Sequence, residues 1–63
     1  MIREDDIVTL LEPFEGLPEG TLGEVLMIYN DGKAFEVEFP DRRGETFPIP
    51  AEKVTLSTAG SLR

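Results

Sequence analysis

The chain has no cysteine, no histidine and no tryptophan among its 63 residues. Without cysteine there are no disulfide staples, and without cysteine or histidine the usual tetrahedral zinc sets cannot be assembled. Lysine occurs only as Lys33 and Lys53, which leaves few nucleophile and general-base options. Carboxylates are plentiful, but hydrolytic pairs need a cleft that separates their pKa values, and a domain this small rarely encloses one. Enzyme activity is not expected, and no cofactor is implied. Aromatics are scarce as well, with one tyrosine and four phenylalanines. A polyproline-binding groove needs several aromatics together, so that mode is not expected.

Long apolar runs are also missing. The longest, Leu22 to Tyr29, is interrupted by Gly23 and Glu24, and a transmembrane helix needs about 20 apolar residues. The N-terminal MIREDD lacks the basic-then-apolar order of a secretory signal. A cytoplasmic protein that does not engage the membrane is the expectation. Basic residues number 6 against 13 acids, a net charge of −7. Such a field repels phosphate backbones and anionic lipid, so no nucleic-acid partner is expected.

What is present is a succession of short strand signals. Asp6–Leu11 carries Val8 and Leu10 in one phase, a first strand. Glu12–Gly20 holds two prolines and two glycines and reads as a loop. Phe14 and Leu17 make that loop unusually apolar, and at least one of them is expected to cap the core. Thr21–Tyr29 is a second strand with apolar residues in both phases. It must be buried on two sides or bulge between them, and Gly23 suits a bend. Asn30–Lys33 is a turn with Gly32 placed for positive φ.

Ala34–Phe39 alternates cleanly, with Phe35, Val37 and Phe39 inward and Glu36 and Glu38 toward solvent. After the turn Asp41–Gly44, a fourth strand brings Phe47 and Ile49 inward. Pro48 in that strand requires an edge or a strand end. Pro50–Lys53 forms one helical or 3₁₀ turn before a last strand carrying Val54 and Leu56 inward. No segment longer than one turn has helical periodicity. The reading is an all-β fold, a small five-stranded antiparallel barrel with one 3₁₀ turn before the last strand. The domain spans residues 1–56, and residues 57–63 form a flexible polar tail.

The order of these pieces resembles a bacterial SH3-like barrel. More narrowly it resembles the small bacterial family known as domain of unknown function 4926. The residues that carry the likeness are Asp6-Ile7-Val8 with Leu10, Gly16-Leu17-Pro18 with Gly20, Gly23 to Val25, and Ile28-Tyr29. They continue through Asp31-Gly32, Phe35 to Phe39, Gly44-Glu45-Thr46 and Val54. The likeness implies the SH3-like fold and carries no established activity. An antitoxin-like or accessory role suits such small acidic proteins.

Three motifs compete for a function. Gly20-x-x-Gly23-x-Val25 resembles the start of a KOW motif, which implies a nucleic-acid-associated protein, but the acidic balance and scattered basic residues oppose it. Asn30-Asp31-Gly32 is a fragment of a calcium loop without its remaining ligands, and Glu4-Asp5-Asp6 is an acidic run. Together they leave weak divalent-cation binding as a lesser alternative. The favoured function is a non-catalytic protein-binding module, with a protein partner or a second copy expected. A chain this short and without staples gains from docking apolar surface on another chain. The candidate contact residues are Phe14 and Leu17 in the long loop, and Leu26 and Ile28 in the second strand. Whether Phe14 anchors a partner or caps the core stays open at this point.

Overall fold

A computed structural model describes residues 1–57. Five strands form one antiparallel sheet: β1 (Ile7–Leu10), β2 (Leu22–Tyr29), β3 (Ala34–Glu38), β4 (Thr46–Pro50) and β5 (Val54–Leu56). Their order across the sheet is β4-β3-β2-β1-β5. Three 3₁₀ turns, Asn30–Gly32, Pro40–Arg42 and Ala51–Lys53, join β2 to β3, β3 to β4 and β4 to β5. The all-β, five-stranded antiparallel architecture and the 3₁₀ turn before the last strand are as the sequence predicts. Closure is not: β4 and β5 do not pair with each other, so the hydrogen-bonded sheet is open.

Alternation in β1, β3 and β4 sends one set of side chains to a single core. Val8, Leu10, Val25, Phe35, Val37, Phe39, Ile49 and Val54 are buried there together with Leu17. Gly23 lies under this packing. A Cβ built on it would sit 2.6 Å from Val37 Cγ1 and 2.7 Å from Phe39 Cε1. The residue is required for close approach of the aromatic ring, a more specific reason than the bend expected from sequence.

The edges are managed differently. Ala51 N–H donates to Lys33 O at 2.9 Å. The two-residue period of β4 then aims the nitrogens of Ile49 and Phe47 at β3 and those of Pro48 and Pro50 at the free side. Prolines thus remove two donors from an edge that could otherwise recruit another strand. At the other edge β5 is only three residues long. Ser57, read from sequence as the start of a tail, is buried and donates its N–H to Ile7 O at 2.9 Å. The rest of the expected tail lies outside the described residues.

Candidate protein-contact surface

The loop with Phe14 and Leu17 folds onto the body. Phe14 and Leu17 exchange backbone hydrogen bonds of 2.9 and 2.8 Å. Glu15 (φ 51°) and Gly16 (φ 81°) between them form a tight left-handed turn. Leu17 enters the core and Phe14 lies half-buried, its ring edge-on to Phe47 at 6.0 Å between centroids. Arg42 Nη2 donates to Glu15 O at 2.9 Å and fastens the turn. The loop caps the core, and a buried Leu17 cannot also serve as an exposed anchor. This guanidinium is therefore already engaged, with Glu45 Oε1 also 3.8 Å from its Nη1.

The second strand divides the other two candidates. Between Val25 and Met27 the register against β3 shifts, so Leu26 and Met27 together oppose Glu36. This bulge reverses the alternation midway along the strand. Gly23 and Val25 face the core before it, and Ile28, paired with Phe35, faces the core after it. Ile28 is half-buried against that core, whereas Leu26 points outward. The same reversal turns Met27 and Tyr29 outward, in line with Leu22. Leu22, Leu26, Met27 and Tyr29 are 42%, 38%, 48% and 38% exposed, an apolar row along a strand at the centre of the sheet. The sequence does not single out Leu22, Met27 and Tyr29, because nothing in the composition of β2 marks which residue is the extra one.

Acids flank the row. Glu24, between Leu22 and Leu26 along β2, lies directly across from Glu38, and both are half-buried. Like charges placed directly opposite on a sheet face are destabilising. Glu38 Oε2 accepts from the N–H of Gly44 at 3.0 Å. Glu36 is held from both sides: Tyr29 O–H donates to Oε1 at 3.2 Å and Thr46 O–H donates to Oε2. The Tyr29 phenol is pushed above its ordinary value, first by burial and then by the charge of Glu36 and the hydrogen bond to it. Ionisation there would remove the donor and set two anions side by side.

Elsewhere the acids have local tasks. Asp6 Oδ2 accepts from Arg3 N–H at 2.9 Å, and Asp5 N–H donates to Val25 O at 2.8 Å, so part of the N-terminal acidic run closes a turn beside β2. Among the described residues no group of three or more potential metal-ligating side chains gathers. No helix among the described residues is long and apolar enough to cross a membrane. An open groove of about 760 Å³, lined chiefly by Met1, Ile2, Ile28, Phe35 and Ala51 and also by Asp31 and Gly32, lies beside the β2–β3 turn.

In the comparisons with known proteins, no curated protein and no solved structure matches this chain. A family does match, and it covers residues 4–57, which include every strand and the whole apolar row. The chain belongs to the family described as Domain of unknown function (DUF4926).

Proposed function

We propose that this protein is a non-catalytic protein-binding module that works in the cytoplasm as an antitoxin-like or accessory subunit. The open five-stranded sheet is taken as an SH3-like barrel, a reading supported by its strand order and by the 3₁₀ turn between β4 and β5. The observation that carries the functional reading is the partly exposed apolar row on β2. The solvent-facing side of an antiparallel sheet is normally polar, yet here Leu22, Leu26, Met27 and Tyr29 keep 38–48% of their surface exposed on it. Exposed apolar side chains rimmed by charge are the anatomy of a contact surface. Leu26 stays in the contact set, joined by Leu22, Met27 and Tyr29. Phe14, Leu17 and Ile28 are assigned to the core and its margin.

The test is affinity capture from the native host with the tagged chain and its Leu26→Ser/Met27→Ser variant. A protein partner should be retained by the first and lost by the second. Retention of the same partner by both would move the surface elsewhere, and selective retention of RNA would favour the nucleic-acid alternative.

A further inference from the structure

Resting on that contact-surface reading, we infer that the outer face of β2 receives a cationic protein segment, with Glu24 and Glu38 seating its Lys or Arg between apolar anchors. The three half-buried carboxylates of this face are not equivalent. Both oxygens of Glu36 accept hydrogen bonds from Tyr29 and Thr46, so its charge is committed to the sheet. Glu38 spends one oxygen on Gly44. Glu24 has no side-chain hydrogen bond or ion pair among the described residues, and it confronts Glu38 directly across the ladder. The pair is anionic, partly desolvated and without a cation between its members.

A guanidinium or ammonium entering there would replace repulsion by charge-assisted hydrogen bonds. Its neighbours fix the rest of the ligand. Along β2 the outward order is Leu22, Glu24, then Leu26 with Met27, an acid between two apolar positions. An extended segment laid on this face presents every second side chain. Its complement is therefore apolar, spacer, basic, spacer, apolar. Charge decides against the other occupants. A second copy would bring another chain of net charge −7, and nucleic acid would bring phosphates, onto the same carboxylates.

The probe is a short synthetic peptide repeating Leu-Ser-Arg-Ser, compared with the same peptide carrying Glu in place of Arg. Each is titrated into the ¹⁵N-labelled full chain. Shifts should be confined to the amides of residues 22–27 and 36–38, only with the Arg peptide, and the affinity should fall as salt rises. Glu24→Gln/Glu38→Gln should weaken binding at least about tenfold, while its melting temperature stays level or rises because the opposed charges are gone. Equal binding of the two peptides, indifference to the double substitution, shifts on another surface, or no binding would each overturn the inference. If both peptides bind equally and both are lost in Leu26→Ser/Met27→Ser, the contact surface survives and only the cationic partner fails. If neither peptide binds and that variant also still captures the host partner, the contact-surface reading fails with it.

Discussion

The two faces of β2 carry similar residues in very different surroundings. On the inner face Val25 is fully buried, and Gly23 is pressed so closely by Phe39 and Val37 that a methyl group has no room. On the outer face Leu22, Leu26 and Met27 are comparably apolar, yet each keeps 38–48% of its surface in solvent. Burial of each inner side chain contributes about 1.5–3 kcal/mol through removal from water, whereas the outer ones contribute only what neighbouring strands cover. Hydrophobicity alone therefore does not tell which residues hold this domain together. The bulge at Leu26 and the packing of Phe39 do.

The sharpest way to break the comparison is to attack the inner face. Phe39→Ala should cost about 3–5 kcal/mol, a large share of what a chain this short possesses. Urea unfolding would reveal it, and an unchanged midpoint would mean that Phe39 is not the centre of the core. Gly23→Ala comes next. With Val37 Cγ1 at 2.6 Å from the added Cβ, overpacking should cost about 1–3 kcal/mol. A stabilised variant would show that the ring has space the structure denies it.

The smallest effect sharpens the outer face. Tyr29 is the sole tyrosine and there is no tryptophan, so its ionisation can be followed directly by ultraviolet absorbance. The phenol is raised by burial and by Glu36. The stability it lends is therefore present below the unfolded-state value, about 10, and is lost as pH climbs through the higher folded value. The native midpoint should lie above that of the urea-unfolded chain and move down in Glu36→Gln. Coincident native and unfolded titrations would remove the Tyr29–Glu36 contact from the description of this face.

The legible part of the fold was the part with strict two-residue alternation. Phe35, Val37 and Phe39 announced both the strand and its inward face, and Pro48 announced an edge. Gly32 was recognisable as a turn residue and does adopt φ 93°. The outward apolar row of β2 was only half legible, for a physical reason. A bulge adds one residue to a strand and reverses the phase after it, and a strand apolar in both phases gives no sign of where that happens. Leu26 and Ile28 therefore looked alike in sequence and face opposite ways in the structure. In the long loop the apolar character of Phe14 and Leu17 pointed to a core cap, but which of the two enters the core depends on the turn that Glu15-Gly16 closes, and it is Leu17.

In the proposed reading β2 builds the domain with one face and leaves the other for contact. Urea unfolding of Leu26→Ser/Met27→Ser beside the unsubstituted chain tests it most directly. Exposed substitutions away from packing should stay within about 0.5 kcal/mol each, so the two unfolding curves should nearly coincide. A loss approaching that of Phe39→Ala would contradict the account, because the outer row would then be part of what holds the sheet together.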